Sequence, residues 1–401
     1  MDGQLSSGAP RTWHRKDPGQ GTAPVGLDAY VSPDFFEAER EKIFRAGWIN
    51  MGRVEEMPEP GDYLVRDLRV AHTSILIVRG KDGQIRGFHN MCAHRGNPVA
   101  WHEKGRCRGG FTCKFHGWVY DDRGRLVHIS DEGSFFDIDK SANGLTPVHT
   151  DVWQGFIFVN LADTPKQGLA EFMAPVTPTI DGYPFDAMRG RYTYRPRENV
   201  NWKTLCEAQQ EGWHLPYLHD KTLAKSAATA QQDFRHAALI AYGPHGVVSS
   251  SPPEGYKPSK TTQIAGRFGS NSFDAFSVKR GEDGERRGPK WHGAFDLYFI
   301  FPNFFIGLLE GTYFTYNIWP EAVDRSVWEI RLYYPEPQNA GQVFAQEFGK
   351  CGIRDTLMED AFTHEKIQSV ISSGAKTHFH LSDEEHIVRH FHNQVRAAVE
   401  A

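Results

Sequence analysis

The sequence predicts an α+β protein in which a small all-β domain is inserted near the N terminus of a larger α+β domain with an antiparallel sheet and flanking helices. Three observations predict it. The chain has 401 residues, more than one hydrophobic core usually organises. Residues 50–162 hold the short strand-like runs "YLVRD", "TSILIVRG", "QIRGFHN", "FTCKFHGWVY", "RLVHI" and "VWQGFIFVNL". Turn signals such as Gly80-Lys81-Asp82-Gly83 and Asp121-Asp122-Arg123-Gly124 separate them. From Asp163 onward, strand and helix patterns mix.

The elements follow in order. Residues 1–49 form an arm and a helix that pack with the larger domain. The opening "MDGQLSSGAPRTWHRKDPGQGTAPVG" is polar, lacks the apolar core of a signal peptide, and reads as a mobile arm. Ser32-Pro33 followed by "DFFEAEREKIFRAGW" reads as a capped helix. Residues 50–162 form the β domain and residues 163–401 the larger one. In the latter, "RGRYTYRPRE" alternates like a strand, and residues 201–214 read as a helix. Residues 220–290, rich in Ser, Gly, Lys, Thr and Gln, read as long loops and a candidate lid. The stretch from Gly293 to Pro335 reads as consecutive strands and residues 339–371 as mostly helix. A capping box at Ser382 and Glu385 opens a last helix, with Ile387, Val388, Phe391, Val395 and Val399 at helical spacing.

Composition narrows the function. The net charge of −5, from 45 basic and 50 acidic residues, gives no reason to expect nucleic acid or an anionic membrane as partner. Five cysteines, an odd and sparse set, do not make a disulfide framework and imply a reducing, cytoplasmic setting. The apolar run Leu297–Leu309 is too short to span a bilayer and reads as two buried strands.

The chemistry concentrates in "NMCAHRGNPVAW…FTCKFHGW". Cys92, His94, Cys113 and His116 offer two thiolates and two imidazoles on two loops of the β domain. A structural zinc ion and a Rieske [2Fe–2S] cluster both use such a set. Zinc motifs commonly pair Cys with Cys and His with His locally. Here each loop carries one of each, which suits a cluster whose two irons take two Cys and two His respectively. Cys107 lies between the loops and reads as structural. His89 and His102 lie close by but fit neither pattern.

"CAHRG…CKFHGWVY" resembles the signature of Rieske non-haem iron oxygenases, the aromatic-ring-hydroxylating dioxygenases, and specifically their catalytic α subunit. A second constellation tests the resemblance. In "NWKTLCEAQQEGWHLPYLH", His214 and His219 are five apart, roughly 140° from each other on an unbroken helix. Pro216 is expected to end the helix, so that His219 swings back. Glu207, Glu211 and His214 are then expected on one helical face. In "GIRDTLMEDAFTHEKIQSVI", Asp360 falls in the inward stripe with Ile353 and Leu357, and Glu359 is expected to point away. Asp360 completes a two-His-one-carboxylate triad for Fe(II), or else hydrogen-bonds His364.

The resemblance covers residues 30–395 and implies the same iron ligands, His214, His219 and Asp360. It implies that Glu211 is the bridging acid, bonding a Rieske histidine of the neighbouring subunit, taken as His116, in a head-to-tail homotrimer, with or without a β subunit. The family often has Asn after the first Glu of this helix; here it is Ala208.

The implied activity is that of a terminal oxygenase, with one [2Fe–2S] cluster and one mononuclear Fe(II) per subunit and O2 as co-substrate. The chain carries no Gly-x-Gly-x-x-Gly nucleotide fingerprint after a strand, so electrons must come from a separate NAD(P)H-dependent reductase, directly or through a ferredoxin. Phe299, Phe301, Phe304, Phe305, Tyr313 and Phe314 read as core, or as the wall of an apolar pocket. The expected substrate is an aromatic or polycyclic hydrocarbon; the alternative is an oxidative O- or N-demethylase. Two other classes are an electron-transfer protein without mononuclear iron and a zinc-stabilised binding module.

Overall fold

The computed structural model describes residues 18–219, 222, 238–250, 259–269, 295–309 and 311–401. Most of the predicted arm, and much of the predicted lid, lie outside the described residues. Where residues 220–290 are described they are not loop: β13 (Ala238–Tyr242) pairs with β14 (His245–Ser250), and Lys260–Phe268 is a helix capped by Ser259. These segments find strand and helix partners far away in sequence, which local periodicity does not report.

The β domain is a seven-stranded antiparallel sheet. Its strands are β1 (Ile49–Arg53), β2 (Asp62–Leu68), β3 (Thr73–Arg79), β4 (Ile85–His89), β5 (Lys104–Arg106), β9 (Pro147–Trp153) and β10 (Phe156–Asn160). The spatial order is β1-β10-β9-β4-β3-β2-β5. A three-stranded sheet joins β6 (Phe111–Thr112), β7 (Val119–Tyr120) and β8 (Leu126–His128). Period-two alternation sends β3 in two directions. Ile75 and Ile77 enter the large core that also holds Trp202, Trp328 and Phe391, whereas Leu76 and Val78 pack with Cys92, Cys113, Trp118 and Tyr120. One strand thus fixes the cysteine–histidine loops and welds their domain to the next.

The larger domain is built on an antiparallel sheet of β11 (Gly190–Tyr194), β12 (Arg197–Glu198), β13, β14, β15 (Phe295–Ile300), β16 (Phe304–Leu309), β17 (Thr312–Ala322) and β18 (Arg325–Tyr334). Both faces are covered. Phe299, Phe305 and Phe314 lie in the core shared with the β domain, and Phe304 and Tyr313 in a second core with Phe156 and Phe172. Phe299, Phe304, Phe305, Tyr313 and Phe314 are therefore core. Partly buried Phe301 packs against both clusters.

Helices cover the sheet. The helix Pro33–Glu39 starts where predicted: Ser32 Oγ accepts from Phe35 N–H at 3.2 Å. The long helix Ala340–Ile371 buries Ile353, Leu357, Asp360, His364 and Gln368 along one stripe. The last, His386–Glu400, follows the capping box of Ser382 and Glu385 and buries Ile387, Val388, Phe391 and Val395. Among the described residues no helix is long and apolar enough to cross a membrane.

Candidate active site

The two cysteine–histidine loops share one backbone design. Gly96 N–H donates to Cys92 O and Gly117 N–H to Cys113 O, each at 2.9 Å. Cys92 N–H donates to Asn97 O at 2.9 Å and Cys113 N–H to Trp118 O at 2.8 Å. Gly96 and Gly117 both have φ of 73°, a left-handed turn that glycine makes without penalty. Two matching turns therefore present one Cys and one His each.

The side chains converge, Cys92 with Cys113 and His94 with His116. The rings of His94 and His116 lie 4.5 Å apart, and His94 stacks on Trp118 at 5.0 Å. His94 Nδ1 is buried with no hydrogen-bond partner. Tyr120 Oη accepts from Ala93 N–H at 2.9 Å and stands 3.2 Å from Cys92 Sγ, so its proton is free for the sulfur. Asn97 Nδ2 approaches Cys113 Sγ at 3.5 Å. Burial pushes the Cys92 thiol up. Burial pushes Cys113 the same way, but the N–H groups of Phe115 and His116 outweigh it and hold that thiol below its ordinary value.

Among the described residues, the group of three or more such side chains whose ligand atoms lie within 4.8 Å of one another is a different one: His214, His219 and Asp360. The four loop residues are not drawn to one point, as a single tetrahedral ion with bonds of about 2.0–2.3 Å requires. That spread fits ligands divided between two irons, and an unpartnered buried imidazole nitrogen fits a metal bond.

The second site differs locally from the sequence reading. The helix Trp202–Glu207 ends early, through 3-10-like bonds from Gln209 N–H to Cys206 O and from Gln210 N–H to Glu207 O. Glu211 lies beyond that end. Its Oε2 accepts from Trp213 N–H and from His214 N–H, the latter at 3.2 Å, and so starts a new turn. Glu207, Glu211 and His214 therefore do not share a helical face. Glu207 Oε1 instead accepts from Tyr30 Oη at 2.6 Å and lies 3.1 Å from His392 Nε2. Pro216 does not end a helix: it stands in the first turn of Leu215–Leu218, whose two ends are His214 and His219. One short turn thus brings the two rings to 5.1 Å.

From across the molecule the long helix supplies Asp360. Its Oδ1 lies 3.2 Å from His219 Nε2 and 3.8 Å from His214 Nε2. The approach is off the hydrogen-bond direction, so this buried oxygen has no hydrogen-bond partner. Each histidine is held by its other nitrogen. His214 Nδ1 pairs with Glu211 Oε1, and His219 Nδ1 with Glu359 Oε2 at 2.9 Å. Glu359 also accepts from Thr222 Oγ1 at 2.6 Å. Glu359 therefore points into the site, against expectation: its long side chain reaches across the roughly 100° that separates adjacent helical positions to meet His219. The alternative bond from Asp360 to His364 is absent: His364 Nδ1 pairs with buried Glu198 at 3.0 Å, and neither His364 Nε2 nor Asp360 Oδ1 has a hydrogen-bond partner. Burial alone would depress His219, but the Asp360 and Glu359 carboxylates outweigh it and raise its pKa.

Two Nε2 atoms and one carboxylate oxygen face a common point, with each Nδ1 fixed by a carboxylate. This is the donor set of a facial triad with its orienting outer shell. The residues present fit a mononuclear Fe(II) ion. Sequence reasoning missed Glu359 and Tyr120. An acid beside the ligand acid was the available signal for Glu359; nothing local marked Tyr120.

Comparison with known proteins identifies both domains. Residues 185–401 match the family model of the ring hydroxylating alpha subunit (catalytic domain), and residues 47–141 match the Rieske [2Fe-2S] domain. The first match covers more than half of the chain, which belongs to this family, the Rieske oxygenase α subunits. The glycine betaine monooxygenase oxygenase subunit of Chromohalobacter salexigens is 33% identical over 205 residues, 51% of this chain and 45% of that protein. The carnitine monooxygenase oxygenase subunit of Escherichia coli K12 is 28% identical over 196 residues, 47% and 50% of the two chains. The chain thus spans about half the length of the curated relatives it matches. In fold it is similar to a quaternary ammonium Rieske monooxygenase bound to L-carnitine, with TM-score 0.72, 18% identity, and 95% and 96% of the two chains covered. Naphthalene 1,2-dioxygenase from Rhodococcus sp. gives TM-score 0.72 at 20% identity, covering 94% of each chain.

Proposed function

We propose that this protein is the terminal oxygenase of a multicomponent system, and that it hydroxylates a small amine or quaternary ammonium compound at a carbon attached to nitrogen. The observation that carries the oxygenase reading is the convergence of His214 Nε2, His219 Nε2 and Asp360 Oδ1, with both Nδ1 atoms tied to carboxylates. These three residues would hold Fe(II). Cys92 and Cys113 would hold one iron of a Rieske cluster, and His94 and His116 the other. When bound, the two groups supply O2 activation and single-electron delivery respectively. The reaction balances as R–H + O2 + 2 electrons + 2 protons giving R–OH + H2O, and a hydroxylated N-methyl group then leaves as formaldehyde.

Within that scheme the chain's own residues have distinct tasks. Glu211 and Glu359 orient the two imidazoles and fix which nitrogen faces the metal. Glu211 also bridges to His116 of a neighbouring subunit in a head-to-tail trimer. A carboxylate has enough lone pairs to accept from that ring while it caps the His214 turn. A separate NAD(P)H-dependent reductase supplies the electrons. Residues 1–49, 50–162 and 163–401 act as the arm, the Rieske domain and the catalytic domain.

The substrate class rests on two supports. Relatives that share about 30% of residues over half the chain act, by name, on glycine betaine and carnitine. Five of the six aromatic residues that could have lined a hydrocarbon pocket, all but Phe301, are spent in the cores. A second reading, dihydroxylation of an aromatic ring, is favoured by the 29% identity over 210 residues to the large subunit of anthranilate 1,2-dioxygenase from Acinetobacter baylyi.

A single turnover of the reduced, iron-replete protein under oxygen-18 gas separates the two. Betaines and methylamines, then aromatic acids and hydrocarbons, are supplied, and products are read by mass. Formaldehyde or one labelled oxygen in an amine product supports the first reading. Two labelled oxygens in one aromatic product replace it with the second.

A further inference from the structure

We propose that buried water, held by the Glu198–His364 pair beside the long helix, carries protons from solvent to the iron site. The inference deepens the proposed function: it rests on the reading of His214, His219 and Asp360 as iron ligands, where the balanced reaction consumes protons.

The helix Ala340–Ile371 turns Thr356, Asp360, His364 and Gln368 inward at one-turn spacing, and all of them are buried. A stripe that only packs would be apolar. Gln368 is satisfied by the fold: it accepts from Asn201 N–H at 2.9 Å and donates to Tyr30 O at 3.3 Å. The next rungs are not. Asp360 Oδ1 faces the metal position, and His364 Nε2, one turn away, is buried with no partner. Its Nδ1 pairs with Glu198 Oε2 at 3.0 Å, yet Glu198 Oε1 is also buried and unpartnered. Trp328, whose ring centre lies 5.9 Å from that of His364, holds a third such atom, its Nε1. Glu198, His364 and Trp328 are 4%, 2% and 0% exposed.

A carboxylate oxygen only accepts and an indole N–H only donates. Within reach of each other they would pair; each is instead left for a small molecule that both donates and accepts. Water with polar neighbours of both kinds is such a molecule. The cluster continues to the iron site through Tyr316. Its ring centre lies 5.1 Å from that of Trp328, and burial first, then the Asp360 carboxylate, pushes its hydroxyl well up. One helical turn of about 5.4 Å separates Asp360 from His364, and two hydrogen bonds of about 2.8 Å through one water span it. Solvent lies close on the other side. Asn199 and Glu365, the residues that follow Glu198 and His364, are exposed, and Asn199 N–H donates to Glu365 Oε1 at 2.8 Å. The His364 imidazolium gives its Nε2 proton to the water, and the water gives one of its own toward the iron site. A solvent proton arriving at Glu198 Oε1 returns to Nε2 through the same water. Each cycle moves one proton, transfers no electron and leaves the pair as it began. His364 acts through the water and is a positioning residue for it.

The first test is a high-resolution crystal structure of the iron-replete protein. It should show ordered water within about 2.7–3.2 Å of Glu198 Oε1, His364 Nε2 and Trp328 Nε1. A cluster without ordered water overturns the proposal, whichever compound the protein turns over. The second test is a single turnover with glycine betaine, in H2O and in D2O, for the parent, His364→Gln and Glu198→Gln. Both variants should form product at least about tenfold more slowly and with a larger solvent isotope effect, because proton delivery then limits the rate. Iron content and cluster absorbance should match the parent. A slower rate with the parent's isotope effect leaves the pair a structural role only and overturns the relay, as does the parent's rate. Where one variant does not fold, the other and the ordered water decide. A parent that holds no iron beyond that of the cluster overturns the triad reading beneath the proposal, an outcome distinct from a dry Glu198–His364 pair.

Discussion

The cysteine–histidine loops draw their four side chains from residues 92–116, while the second site joins His214 and His219 to Asp360 on a distant helix. The first is held by local bonds: two turns with the same backbone hydrogen bonds, each closed by a glycine in the left-handed region. The second is held by tertiary packing. Two histidines bracket one short turn, and the buried stripe of the helix Ala340–Ile371 delivers the carboxylate. Their supports differ in kind as well. The cysteine sulfurs meet neutral donors, Tyr120 Oη and Asn97 Nδ2, whereas both site histidines are tied to carboxylates. A site that stores electrons is tuned by hydrogen bonds to sulfur; a site that binds a dication is tuned by negative charge behind its imidazoles.

The largest expected effect separates the two sites. Asp360→Ala should take iron from three to two atoms per chain, leave the cluster spectrum intact, and lower turnover by at least ~100-fold, since the metal carries the oxygen chemistry. Iron analysis beside the visible spectrum reads this. Loss of the cluster in that variant would mean that the sites are not independently built.

Glu359→Gln sharpens the role of the outer shell. It keeps the length of the side chain and removes the charge behind His219. Affinity for the mononuclear metal should drop about 10–100-fold, measured by competition with a chelator. Unchanged affinity would show that Thr222 and packing alone hold the ring.

A smaller effect contrasts both sites with a histidine that is structural. His245 donates Nε2–H to Phe172 O at 2.8 Å and accepts at Nδ1 from Phe301 N–H at 3.2 Å, so the fold requires it neutral. Burial lowers its pKa to about 4. A group depressed on folding contributes fully above its unfolded value of about 6.5, and the contribution is lost as pH falls to about 4. Denaturant titrations should show up to about 3 kcal/mol lost across that window, and a flatter profile in His245→Gln. An equal slope in the variant would place the acid sensitivity elsewhere.

Tyr120→Phe is expected to do least. It removes one hydrogen bond to Cys92 Sγ and one from Ala93 N–H, costing about 1 kcal/mol each in thermal or denaturant unfolding. It should also lower the cluster's reduction potential, because a donor to sulfur stabilises the reduced, more negative state. An unchanged potential would remove Tyr120 from the tuning of the cluster.

The sequence by itself placed Cys92, His94, Cys113 and His116 on two loops of one β domain with its strand runs, and put His214, His219 and Asp360 in a second group. In each case the determining signal was local: turn residues at fixed offsets, or an apolar period that makes one polar residue anomalous. The tertiary structure decided what the helix after Asn201 does. Helical periodicity put Glu207, Glu211 and His214 on one face, but Tyr30 and His392, on other elements, claim Glu207, and Glu211 turns back to cap the next turn. It likewise decided that Glu359 serves His219 while His364 serves Glu198. Long polar side chains select partners by distance across the fold, and no spacing along the chain encodes which element will lie opposite.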